Sequence, residues 1–134
     1  MNTNNKAGVI GGIAGGVVFG MLMQMMGMMP MIAMMVGSES VLVGWILHLI
    51  ISAVTGVLFV MMFGSKVSTN ADGVRYGLIY GLIWWVLGPL VIMPVILGMG
   101  IQIQNAFGQT QLMSLMGHLV FGVILGIIVA KYQK

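Results

Sequence analysis

The two histidines are the residues in this sequence whose chemistry is most versatile. His48 and His118 are the only histidines, and each lies in a long apolar stretch. Because imidazole titrates near neutral pH and ligates haem and metal ions, such a residue can handle protons or hold a cofactor. It can also donate a hydrogen bond to a neighbouring helix and lock the packing. The sequence leaves these three interpretations of the pair open.

A few other polar residues are candidates to act beside the histidines. Gln24 lies in the first apolar stretch, Glu39 precedes the second, and Ser52 follows His48 by one helical turn. Two histidines are too few ligands for a metal, so Gln24 and Glu39 are the side chains that could complete such a site. The alternative for Gln24 is a hydrogen bond between helices.

Methionines are concentrated in the segment 21–35, which holds nine of the sixteen. Thioether sulfur is a soft ligand that suits Cu(I), so haem and copper are the two cofactor hypotheses for this chain. Methionine is also a flexible apolar filler, and these methionines occupy nearly every face of a helix. That distribution is typical of filler, so no cofactor is predicted from it, and copper stays an alternative.

The composition excludes most classes of soluble protein. Of the 134 residues 60% are hydrophobic and 5% are charged, whereas a soluble domain carries roughly 25% charged residues. There is no cysteine, only two residues are acidic, and no hydrolase, phosphate-binding or metalloprotease motif is present. We therefore predict a protein embedded in the lipid bilayer, without enzymatic activity and without nucleic-acid binding.

Four apolar runs predict an all-α membrane protein that forms a single domain over residues 1–134. Each run is long enough to cross a hydrocarbon core of about 30 Å as a helix, and the runs lack the alternation of a membrane barrel. Pro89 and Pro94 are expected to kink the third helix. The runs span residues of about 7–29, 41–63, 74–97 and 112–130.

The charges predict how the protein lies in the membrane. All five basic residues fall on one side of the four spans, and Glu39 falls on the other. By the positive-inside rule, we expect a multi-pass protein of the inner (plasma) membrane with both termini in the cytoplasm. The basic residues are Lys6, Lys66, Arg75, Lys131 and Lys134.

The two halves of the chain resemble each other. A shift of 61 residues places Gly16 on Gly77, and a shift of 70 residues places His48 on His118. We therefore predict two tandem helical hairpins that run in parallel, related by a pseudo-twofold axis along the membrane normal. The repeats comprise residues of about 7–63 and 74–130.

Glycines recur every four residues and predict close helix packing. Small residues at this spacing let helix backbones approach each other, and contact of this kind drives association in lipid. The same stripes could form the seam of a homo-oligomer or of a larger membrane complex. The glycines concerned are Gly8, Gly12, Gly16, Gly20, Gly56, Gly77, Gly81, Gly122 and Gly126.

The second half of the chain resembles a known family. Its motifs are Tyr-Gly-Leu-Ile-Tyr-Gly over residues 76–81, a Pro-Leu segment, and Gly-His-Leu-Val-Phe-Gly over residues 117–122 with Gly126. Over about the last 60 residues these motifs are similar to the YagU-like family of poorly characterised bacterial inner-membrane proteins. The resemblance implies an inner-membrane location, an association with acid resistance, and a special position for His118.

Three functional hypotheses follow from the sequence. The small size, the glycine stripes and the lack of catalytic groups favour a structural or accessory membrane subunit. The first alternative is a small transporter or proton-linked channel that uses His48 and His118. The second alternative is a haem- or metal-binding protein that uses the same pair as ligands.

Overall fold

The computed structural model describes residues 3–132, most of which are helical, and that range contains no strand. Four helical segments are long and apolar enough to cross a membrane, as the sequence predicted. Two short α-helices, two 3₁₀-helical turns and one π-helical turn connect or extend them. The helices are α1 (Thr3–Met25), α2 (Met29–Met34), α3 (Val41–Phe63), α4 (Asn70–Leu87), α5 (Met93–Ile96) and α6 (Gln109–Tyr132).

The first spanning helix ends one turn earlier than predicted. The apolar run continues to Met29, but α1 ends at Met25 because Gly27 adopts a φ of +70°, which glycine tolerates and other residues rarely do. The chain then begins α2, with Pro30 in its first turn, where a proline needs no hydrogen-bond donor. The sequence did not predict α2, because the whole segment is uniformly apolar.

The third spanning segment is broken near its end. α4 ends at Leu87, Gly88–Ile92 forms a π-helical turn, and α5 follows directly. Pro89 and Pro94 lack backbone N–H groups, so a regular ladder of hydrogen bonds cannot continue through them. Wide turns of this kind are found within helices at functional sites.

Glycines bring the helices of each hairpin into backbone contact. A Cβ added at Gly8 would lie 2.6 Å from the carbonyl oxygen of Gly56, which joins α1 to α3. A Cβ added at Gly77 would lie 2.6 Å from the carbonyl carbon of Gly122, which joins α4 to α6. The contacts run in antiparallel order along both pairs, and we call these pairs the first and the second hairpin.

The two hairpins meet through α1 and α6. A Cβ at Gly11 would lie 2.9 Å from Leu125, and one at Gly15 would lie 2.9 Å from the carbonyl oxygen of Phe121. The helices therefore follow the spatial order α3, α1, α6, α4, and the backbones of α3 and α4 stay apart. The sequence prediction did not include Gly11 and Gly15, which form this second glycine face of α1.

The antiparallel order gathers the described basic residues at one end of the bundle. Lys6 lies in the first turn of α1, Lys66 follows α3, Arg75 lies near the start of α4, and Lys131 lies in the last turn of α6. We call this the basic end and the opposite end the distal end. Lys134 lies outside the described residues.

Aromatic side chains fill the space between α3 and α4 in the basic half. The Tyr80 hydroxyl donates a hydrogen bond to the carbonyl oxygen of Thr55, which links the two helices. The ring centroids of Phe59 and Tyr80 are 5.1 Å apart, and those of Phe63 and Tyr76 are 5.5 Å apart. Phe59 and Tyr80 are fully buried, so this half of the bundle is closed.

Candidate binding cavity

The distal half of the bundle contains a partly open cavity of about 190 Å³. It lies between α3 and α4, beside the hydrogen bond that joins Tyr80 to Thr55, and all four spanning segments line it. Both histidines face it, together with Ser52, Thr55 and Ser114. The structure therefore brings three of the predicted site residues, His48, His118 and Ser52, into one place.

His48 connects the two helices of the first hairpin. Its Nε2 lies 2.7 Å from the carbonyl oxygen of Gly16, and because a carbonyl only accepts, Nε2 carries the proton. Gly16 permits this approach, since a Cβ there would lie 2.6 Å from the Cβ of Ser52. The Ser52 hydroxyl in turn donates to the His48 carbonyl oxygen at 2.7 Å.

His118 instead bonds to its own helix. Its Nδ1 lies 2.8 Å from the carbonyl oxygen of Ser114, one turn earlier in α6, so Nδ1 carries the proton. Its Nε2 has no hydrogen-bond partner within residues 3–132. This atom faces the break in α4, where a Cβ added at Gly88 would lie 4.0 Å from it.

Phe19 stands between the two imidazoles. Its ring centroid is 5.4 Å from that of His48 and 4.6 Å from that of His118, with edge-to-face geometry in both cases. The histidines therefore meet the same aromatic ring. In the neutral imidazoles, the nitrogens that remain as acceptors are Nδ1 of His48 and Nε2 of His118.

The comparisons with known proteins give no guide to this site. No protein-family profile, curated protein or solved structure matches this chain. The resemblance to the YagU-like family thus stays a prediction, and the function has to be argued from the geometry of the cavity.

Gln24 and Glu39 do not join the histidines. Gln24 is exposed, and its side-chain oxygen accepts a hydrogen bond from the indole N–H of Trp45, which connects α1 to α3. Glu39 is exposed in the loop before α3, and neither residue lines the cavity. Within the described residues, no three histidine, aspartate, glutamate or cysteine side chains are grouped to hold a metal ion.

Methionines form much of the cavity wall, and none of them was among the site residues predicted from the sequence. Four of them come from the Met-rich segment, whose density was the available signal, whereas Met93 stands alone in sequence and is placed by the break in α4. Thioethers present polarisable sulfur without needing hydrogen bonds. The methionines that line the cavity are Met23, Met28, Met31, Met35 and Met93.

Trp84 lines the same cavity and carries a buried polar group that does not open onto it. Its indole N–H is enclosed and has no hydrogen-bond partner within residues 3–132. The neighbouring Trp85 is satisfied, because its indole N–H donates to the carbonyl oxygen of Gln111 at 2.8 Å. A buried donor without an acceptor costs about 1–3 kcal/mol, so the cavity wall is not optimised for stability at Trp84.

A smaller cleft of about 100 Å³ lies between the cavity and the loop over residues 97–108, which joins α5 to α6 and which we call the distal loop. Its lining includes Met28, Met31 and Met93, which also line the cavity. Its other wall includes Gln102 from this loop and Gln111 from the first turn of α6. The shared residues place the cleft directly next to the cavity, on the side of the distal loop.

Proposed function

We propose that this protein is a small carrier of the plasma membrane that takes up a solute into the cavity from the distal side. The observation that supports this proposal most strongly is the free Nε2 of His118, which faces a cavity beneath a broken helix. In transporters, interrupted helices often mark the binding site.

The proposed orientation places the basic end in the cytoplasm. Lys6, Lys66, Arg75 and Lys131 at one end support this choice by the positive-inside rule. The cavity then lies in the outer half of the membrane, and the cleft beside it leads towards the outside. The aromatic layer around Phe59 closes the cytoplasmic half, so passage of a solute requires a second conformation.

We also propose that the two hairpins are tandem repeats, with a register that differs from the one first predicted. Gly8 contacts Gly56 in the first hairpin, and Gly73 contacts Gly126 in the second. These pairs relate the hairpins by 65 residues in the first helix and by 70 in the second. The sequence comparison used 61 for the first helix, which is about one helical turn less.

The other hypotheses are less well supported by this geometry. The accessory-subunit hypothesis is favoured by His48, whose hydrogen bond to Gly16 is a packing contact, but it gives no role to the free nitrogen of His118. A haem would need more room, since pockets for such ligands measure roughly 300–1,000 Å³ and this cavity about 190 Å³. A proton-linked channel would need a polar path through the closed basic half.

The absence of native cysteine allows a direct test of the carrier proposal. Ser114→Cys places a thiol in the cavity wall, and Val129→Cys places one in the fully buried basic half as a control. We expect a small charged methanethiosulfonate reagent, added outside intact cells, to modify the first thiol and not the second. If the thiol at position 114 stays unmodified from outside while the protein is folded, the carrier proposal is wrong.

A further inference from the structure

The chemistry of the cavity wall points to a particular class of solute. Two imidazole nitrogens are available as acceptors, and five methionines surround the same space. We propose that the cavity binds a soft monovalent d10 metal cation, Cu(I) in the cell, through Nε2 of His118 and neighbouring thioethers. This inference depends on the proposed carrier function and names its solute.

The charge of the wall favours one positive charge and soft ligands. The lining of the cavity contains no carboxylate, so a divalent cation would remain uncompensated in an apolar environment. Thioethers and imidazoles are neutral, and sulfur ligands of this kind select Cu(I). A hard cation such as Mg²⁺ or Ca²⁺ would instead need six or more oxygen ligands, whereas the side chains of the wall offer only the hydroxyls of Ser52, Thr55 and Ser114.

Both histidines are held as metal-ligating histidines usually are. A ligating imidazole commonly donates its other N–H to a backbone carbonyl, which fixes the tautomer and the orientation of the ring. His118 does so through Ser114, and His48 does so through Gly16. The His118 contact lies within its own helix and therefore serves orientation of the ring rather than contact between helices.

A row of thioethers leads from the distal loop to the histidines. Met99 lines the small cleft, and Met28, Met31 and Met93 line both the cleft and the cavity. A soft cation could therefore pass from one sulfur ligand to the next without returning to water. This arrangement explains why the Met-rich segment lies at the distal end of α1 and in α2, and why Met93 lies opposite to it.

The test is binding of Ag(I), which needs no reductant, and of Cu(I) in competition with a chromophoric Cu(I) chelator. We expect one ion per chain in the purified protein, and at least about a tenfold loss of affinity in His118→Ala. We expect a similar loss when Met28, Met31 and Met93 are replaced together by leucine, which keeps the apolar volume. Zn²⁺ should not bind with comparable affinity.

The control is a second leucine triple at Met25, Met61 and Met62, which are exposed and do not line the cavity. Absence of stoichiometric Ag(I) and Cu(I) binding, or equal losses in both triples, would overturn the cation proposal. If the cavity triple does not fold, X-ray absorption of the loaded native protein decides, since the proposal requires sulfur and nitrogen neighbours. Modification of Ser114→Cys from outside without metal binding would leave the carrier proposal intact and reject only the cation.

Discussion

The two hairpins place a histidine at the same height but use it in opposite ways. In the first hairpin, His48 reaches across to the carbonyl oxygen of Gly16 and ties α3 to α1. In the second, Nδ1 of His118 donates to the carbonyl oxygen of Ser114 in the same helix, and Nε2 faces the cavity. The same residue type therefore contributes to helix packing in one hairpin and to the proposed binding site in the other.

The difference comes from the small residues around each ring. Gly16 and Ser52 let the His48 imidazole approach the α1 backbone, whereas α4 meets α6 at Gly81, before the helix breaks. Beyond that break the backbone of α4 is diverted through a π-helical turn, and no carbonyl of α4 accepts from His118. Because α4 is interrupted, the imidazole of His118 does not bond to the neighbouring helix as that of His48 does, and its Nε2 stays accessible from the cavity.

The largest losses of stability should come from substitutions at the glycine contacts between helix backbones, which both hairpins share. Gly12→Ala and Gly77→Ala each place a methyl group against the backbone of the partner helix, at Ser52 and at Gly122. We expect each to lower the free energy of unfolding by about 1–3 kcal/mol, measured by unfolding in a mixed-detergent titration. Gly88→Ala is the control, since its methyl group meets only His118 Nε2 at 4.0 Å. Equal stability of all three variants would contradict the glycine contacts.

Replacing each histidine should affect the two hairpins to different extents. His48→Ala removes a hydrogen bond between helices and should cost about 0.5–2 kcal/mol of unfolding free energy, the range found for such bonds in membranes. His118→Ala removes a bond within one helix at the edge of an existing cavity, so its cost should be smaller than that of His48→Ala. The same unfolding titration measures both. A larger loss for His118→Ala would reverse the assignment of the two roles.

The tryptophans provide a comparison of smaller effects. Trp45→Phe and Trp85→Phe each remove a hydrogen bond that connects the helices of one hairpin, and each should cost about 1 kcal/mol. Trp84→Phe removes a donor that has no acceptor, so we expect no loss of stability or a small gain. Thermal melts in detergent would show the order. A clear loss for Trp84→Phe would mean that its N–H finds a partner in solution.

The sequence predicts the spanning helices well because the physical demand of the bilayer is uniform. A helix of about 20 apolar residues is required wherever the chain crosses, and this requirement is visible in α3 and α6 without any tertiary information. The break after Leu87 was only partly predictable. Pro89 and Pro94 indicate a kink, but whether the chain forms a wide turn depends on contacts with other helices.

The cavity could be predicted only in part. The predicted repeat singled out His48 and His118, yet sequence similarity implies equal roles, and the difference between them depends on which carbonyl each ring reaches. Gln24 and Glu39 were predicted only as side chains that could complete a metal site, and neither lines the cavity. Met93 could not be predicted as a cavity residue, because its position in the wall results from the break in α4 that precedes it.

The smallest effects should come from the starts of α3 and α4, which differ between the hairpins. Thr69 begins α4 with a reciprocal cap: its hydroxyl accepts from the Asp72 N–H at 3.1 Å, and the Asp72 carboxylate accepts from the Thr69 N–H at 3.1 Å. Ser40 caps α3 with one longer bond of 3.4 Å to the Val43 N–H. We expect Thr69→Ala to lower the free energy of unfolding by about 1 kcal/mol and Ser40→Ala to lower it by about 0.3 kcal/mol. Both are measured as shifts of the unfolding midpoint.

The cap experiment also tests whether the second hairpin needs a firm start to hold its broken end. α4 is anchored at the basic end by the bonds of Asp72 and lacks a regular ladder at Gly88–Ile92. If that anchor supports the cavity, Thr69→Ala should increase the modification rate of Ser114→Cys, whereas Ser40→Ala should not. An unchanged rate in both would show that the break in α4 is held by local packing around Leu90, which is fully buried, and not by the helix as a whole.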